Sequence, residues 1–233
     1  MLILSLRKYD VGNWDSFLTT IEIVGNSTHP CADSELRLFE QRTDITLPES
    51  YIEYCKSIGP GIHNREFTVR SPCGDGGRWD LLNFGQASLE AFKDAVRFEI
   101  DHFLEGYPAA NHDKMRWLEG ILNKSLPFAD NGFAEIFLWH LDSYSESDQN
   151  YDIYRIGIDS LETACWVGRD FYRFIAEFIY EHKIDGVPLK NNNYPEIERL
   201  FIPMEVALDV FRNNEPHVAA RILNRMARIP GSL

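Results

Sequence analysis

Leu47-Pro48-Glu49-Ser50-Tyr51-Ile52-Glu53-Tyr54-Cys55, closed a few residues later by Gly59-Pro60-Gly61, holds a sharp start, one apolar helical face and a sharp stop. Pro48 falls in the first turn of a helix, where its missing N–H costs nothing, and it biases Leu47 toward extended geometry. Tyr51, Ile52, Cys55 and Ile58 recur at helical spacing, which gives the helix a single buried side. Gly59, Pro60 and Gly61 end it. Upstream, Leu36 and Phe39 stand three apart amid charges and predict a short amphipathic helix from Ser34 to about Thr43. The first 33 residues offer a short strand at 2–6 and a helix at 14–21.

Downstream, two strands are expected at 66–70 and 78–84, separated by turn-forming Pro72, Gly74, Asp75, Gly76 and Gly77. Ser88 is a plausible N-cap for a helix whose stripe runs through Leu89, Phe92, Val96, Ile100 and Phe103. Residues 104–125 read as a polar insertion with a further short helix. Residues 135–141 are apolar on both faces, as a central strand is, whereas 151–158 place Tyr154, Ile156 and Ile158 on one face. A short strand near 164–167 precedes a core helix at 169–182, with Phe171, Phe174, Ile175, Phe178 and Ile179 on one side. After a polar linker, two helices are expected at 197–212 and 216–227. The chain therefore divides into an α+β domain, 1–186, and a C-terminal helical appendage, 187–233.

Hydrophobic residues make up 44% of the 233 and aromatics 13%, enough for a packed interior. Cys31, Cys55, Cys73 and Cys165 match neither a redox pair nor a zinc knuckle, so thiols are the expectation. The apolar opening at 1–6 is too short for a signal peptide, and no run approaches the length of a membrane span, which together predict a cytoplasmic protein. The sequons at Asn26 and Asn123 are then chance. A net charge of −13, from 36 acidic and 23 basic residues, disfavours nucleic acid and anionic membranes as partners and permits a basic one.

The opening motif also resembles the entry of the SUKH superfamily. A second hallmark follows in Leu126-Pro127-Phe128-Ala129-Asp130, then Phe137-Leu138, Asp152-Ile153-Tyr154 and the helix from Phe171 to Ile179. The resemblance spans about 34–182. It departs at Asp130-Asn131-Gly132-Phe133, where the family has a glycine-rich stretch, and after Gly186. It implies helices packed on a twisted, mainly antiparallel sheet. It also implies a non-enzymatic role: a bacterial immunity protein that neutralises a polymorphic toxin, often a nuclease, or a scaffold of the Smi/Knr cell-wall regulator type.

Charge placement points the same way. Between Asp130 and Glu162 there are eight acids and one base, Arg155, which is −7 of the total −13. Asp130, Glu135, Asp142, Glu146, Asp148 and Asp152 are the candidate partner-binding residues, suited to steering a basic toxin surface into contact; the same run also fits a solvated loop. Residues 142–148 alternate oxygen-bearing side chains but lack the glycine and terminal glutamate of a calcium loop. The seven histidines never reach ligand spacing, and Gly74-Asp75-Gly76-Gly77 lacks the lysine of a phosphate loop. Cys55 lies on an apolar helical face and reads as packing rather than as a nucleophile. No catalytic residue, metal or cofactor is expected, and an unrecognised enzyme is left as a third reading.

Overall fold

The computed structural model describes residues 13–25, 28–74, 80–102, 109–132, 135–157, 160–184, 186–189 and 197–213. The expected strand at 2–6 and helix at 216–227 lie outside them. Helix α1 (Trp14–Leu18) and the short strand β1 (Glu22–Ile23) lead into α2 (Asp33–Thr43) and α3 (Glu49–Ser57), as the opening motif predicts. Pro48 stands one position before α3, and Ile52 N–H donates to its carbonyl at 2.9 Å. Strands β2 (Gly61–His63) and β3 (Phe67–Val69) follow, then helices α4 (Leu81–His102) and α5 (Ala109–Leu122). Next come β4 (Ser125–Asp130), β5 (Glu135–Ser145), β6 (Asn150–Gly157) and β7 (Ser160–Gly168). Helix α6 (Phe171–Arg173) runs into a π-helical segment, Phe174–Ile179, and then a small hairpin of β8 (Lys183–Ile184) and β9 (Val187–Pro188). Strand β10 (Leu200–Pro203) and helix α7 (Met204–Asn213) complete the order.

Eight strands make one sheet in the order β1-β10-β2-β3-β4-β5-β6-β7, antiparallel except where β1 meets β10. One face carries an aromatic core: Phe67, Phe128, Phe137 and Trp139 from the strands meet Tyr51, Tyr54, Phe171, Phe174 and Phe178 from the helices. On the other face Phe92 and Val96 of α4 and Met115, Leu118 and Leu122 of α5 cover Ile136, Leu138 and Ile156. Strand β5 is thus buried on both sides, because its successive side chains alternate between two cores. The protein is α+β, as expected.

The glycines of the stop signal have a tertiary cause. Gly59 holds a φ of +81°, and a Cβ there would stand 1.9 Å from the His29 carbonyl oxygen. A Cβ on Gly61 would meet the Phe201 ring at 2.4 Å. Each glycine marks a place where another stretch of chain passes against the end of α3.

Four expectations are corrected. Residues 81–84 open α4 instead of closing a strand: the Asp80 carboxylate accepts from Asn83 N–H at 2.8 Å, so Asp80 does the capping assigned to Ser88, which is buried inside the helix. Residues 200–203 are strand rather than helix, and Pro203 ends that strand directly before α7 instead of lying within a longer helix. The segment after 187 thereby places a strand between β1 and β2. The core helix at 169–182 is α-helical only over its first turn, capped by Asp170 accepting from Arg173 N–H at 2.8 Å, and π-helical beyond. Finally, Cys31 and Cys73 form a disulfide; only Cys55 and Cys165 are thiols. The pairing follows from Cys31 docking on the end of α3, where its N–H donates to the Cys55 carbonyl at 2.8 Å. A separation of 42 residues leaves no local signature.

Candidate partner-binding surface

The β5–β6 hairpin organises the candidate residues. Its pairing slips between His140 and Ser145. In the gap the Ser143 hydroxyl donates to the His140 carbonyl at 2.6 Å and accepts from Asp152 N–H at 2.7 Å. The tip returns to the opening motif: Glu49 N–H donates to the Gln149 carbonyl at 3.3 Å, and Ser50 Oγ bonds Asn150 Oδ1 at 3.3 Å. Ser50 Oγ also accepts from Phe171 N–H at 3.2 Å. One buried hydroxyl therefore ties α3, the hairpin and the aromatic helix together.

Arg169, which follows β7, reaches under this hairpin. Its guanidinium donates to Asp148 Oδ2 at 3.1 Å, to Asp152 Oδ1 at 2.9 Å and to the carbonyls of Ser143 and Asn150 at 3.2 and 3.1 Å. A planar fork suits several acceptors at once. Burial alone would lower its pKa, but the hydrogen bonds and charges of Asp148 and Asp152 outweigh that and hold it above its ordinary value.

The six candidate acids therefore separate. Asp130 is buried and pairs with Arg70, whose guanidinium also lies 3.7 Å over the Phe84 ring. Glu135 pairs with Arg155 at 3.3 Å and accepts from Asn131 at 2.5 Å. These two act inside the fold. Asp148 and Asp152 are half-buried and share Arg169, while Asp142 and Glu146 are exposed, Asp142 lying 3.5 Å from Lys124. The fold also adds acids from outside the run. Partial burial first, and then the charges of Glu146, Glu40, Asp148 and Glu49, push the Tyr144 phenol up. Tyr144 stands 4.9 Å from Tyr151, whose hydroxyl donates to the Thr46 carbonyl at 2.8 Å. The Tyr151 phenol is pushed up to about 12 by burial and then by Tyr144 and Glu40.

Where α5 meets β6 and β7 the surface is aromatic. Trp117 and Trp166 are 41% and 40% exposed. Between them lies Tyr154, 5.7 Å from Trp117 and opposite Trp166 in the β6–β7 pairing. Sequence reading counts Trp117 among the anchors of the 104–125 insertion and gives Trp166 and Arg169 no role at a surface. Trp117 was detectable, since it falls off the stripe of Met115, Leu118 and Ile121; Arg169 has no local pattern.

Among the described residues no group of three His, Cys, Asp or Glu side chains is arranged to hold a metal. His63 is enclosed between Tyr54 and Tyr180 at 2.8 and 2.9 Å. Because the Tyr180 hydroxyl donates to the Leu200 carbonyl, its oxygen accepts from His63 Nδ1, and Tyr54 donates to Nε2. This closed relay has no solvent access.

Helices cover both faces of a mainly antiparallel sheet that carries an acidic hairpin and two exposed tryptophans, and the family that the sequence matches is one of protein-interaction domains. The family model described as SMI1 / KNR4 family (SUKH-1) matches residues 30–177, and the chain belongs to that family. No curated protein and no solved structure matches it.

Proposed function

We propose that this chain is an immunity protein that neutralises a polymorphic toxin, such as a nuclease, by occupying its basic active face. Family membership supports protein binding. The observation that carries the finer reading is the meeting of three acidic segments at the hairpin, where the Tyr151 hydroxyl bonds the Thr46 carbonyl, Glu49 N–H bonds the Gln149 carbonyl, and the charges of Glu40, Glu49 and Glu146 act together on the Tyr144 phenol. Such a surface favours encounter with a cationic partner and makes association sensitive to salt.

The immobilised protein should retain a basic toxin domain from lysate of its native cells at low salt and release it in about 1 M salt, where the screening length falls to about 3 Å. Co-expression should then restore growth of cells making that toxin. Combined Glu49→Lys, Asp142→Lys and Glu146→Lys should abolish rescue while leaving the fold intact, since all three side chains are exposed. Recovery of a non-toxic envelope or signalling protein instead would sink the immunity reading and favour the scaffold role.

A further inference from the structure

We propose that the surface formed by Trp117, Tyr154 and Trp166, with Asp142 and Asp152 at its margin, receives arginine side chains of the protein partner. This rests on the reading that the partner is basic and names where and how its cations are held. Two tryptophans with about two fifths of their surface in water are costly to leave uncovered, and tryptophan, tyrosine and arginine dominate the energetics of protein interfaces. Two of the rings lie on one sheet face and the third comes from α5, which packs on it. Tyr154 and Trp166 are opposite residues on paired strands, and Trp117 packs against Tyr154 edge-on at 67°.

Charge complementarity selects the occupant. The Trp166 indole N–H donates to Asp152 Oδ1 at 3.1 Å, which directs one edge of the ring at a carboxylate and leaves its face for a cation. Asp142, beyond His140 on β5, is 60% exposed and lies 3.5 Å from an equally exposed Lys124, and Asp152 Oδ1 is shared with Arg169. An incoming guanidinium therefore takes up the remaining acceptor sites of these carboxylates and competes with a surface ion pair of little strength. A guanidinium can stack on an indole while its N–H groups reach a carboxylate, whereas an ammonium offers only a point charge. The protein already uses this arrangement internally, where Arg70 lies over Phe84 and pairs with Asp130.

The test is a titration of the full chain with hexa-arginine and with hexa-lysine, followed through the indole N–H signals. Hexa-arginine should shift Trp117 and Trp166 but not the buried Trp14 and Trp139, and should bind several-fold tighter than hexa-lysine. Trp117→Ala with Trp166→Ala should weaken hexa-arginine binding about tenfold, the scale of two exposed cation–π contacts, with an unchanged thermal melt. If the wild-type indoles of Trp117 and Trp166 do not move, or the two peptides bind alike, the aromatic site is wrong. The immunity reading would survive that result if the charge-reversal variant still loses its toxin. If the captured partner proves not to be basic, the functional reading fails irrespective of the peptide data.

Discussion

His63 is held neutral by its surroundings: burial pushes its pKa from 6.5 down to about 3. In the unfolded chain the ring takes a proton as pH falls below about 6.5, whereas the folded protein resists until about 3. Folded stability is therefore lost across that window as pH falls, by up to about 1.4 kcal/mol per pH unit. Urea midpoints measured from pH 7 to 4 should drop steeply, and His63→Gln should flatten the slope; equal slopes would remove His63 from the account. Asp130→Ala should cost about 3–5 kcal/mol because it takes a carboxylate partner from the buried Arg70 charge, measurable by the same unfolding curves. Neither residue's role was legible in sequence. His63 sits in a three-residue strand, and Asp130 reads as one acid in an acidic run until Arg70, sixty residues earlier, is placed beside it.

Elements were legible where one local signal sufficed. The turn-starting Pro48 and the stripe of Tyr51 and Cys55 specify α3, and the two-sided apolar run of β5 specifies a central strand. Errors arose where two signals competed. At 78–84 the pattern of a strand hid the cap that Asp80 supplies, and the earlier helix start prevails because residues 81–87 can join the face that packs on β4. The hairpin offers a prediction at this level. Ser50→Ala removes the hydroxyl shared by Asn150 and Phe171 and should cost about 1–3 kcal/mol, since a buried N–H is left unpaired. Hydrogen exchange at Phe171 N–H should accelerate with it; unaltered protection there would show that Ser50 is not the joint.

At the scale of the molecule, the run from Asp130 to Glu162 is only half of what it seems in one dimension. Arg70, Lys124 and Arg169 come from outside it to neutralise acids, and Glu40 and Glu49 come from outside to replace them. The acidic surface proposed to meet a partner is thus a property of the tertiary fold. The disulfide belongs to this scale as well. Closing 42 residues between Cys31 and Cys73 should contribute about 4 kcal/mol by restricting the unfolded chain. Reduction, or Cys31→Ser with Cys73→Ser, should lower the melting temperature; no change would mean the bridge adds nothing. Such a bond persists in oxidising surroundings, so a thiol count on protein taken directly from cells tests the expectation of a cytoplasmic home.

Strand β10 lies second in the sheet, hydrogen-bonded to β1 and β2, both from the first third of the chain. A ribosome making this protein has released α1, β1, β2 and β3 long before residues 200–203 exist. Until they arrive, β1 has no neighbour among the described strands and the edge of β2 that takes β10 is unpaired by them. A nascent chain stalled near residue 190 would present that edge to chaperones or to other nascent copies, so translation speed through the last stretch of message governs how long the half-built sheet is at risk.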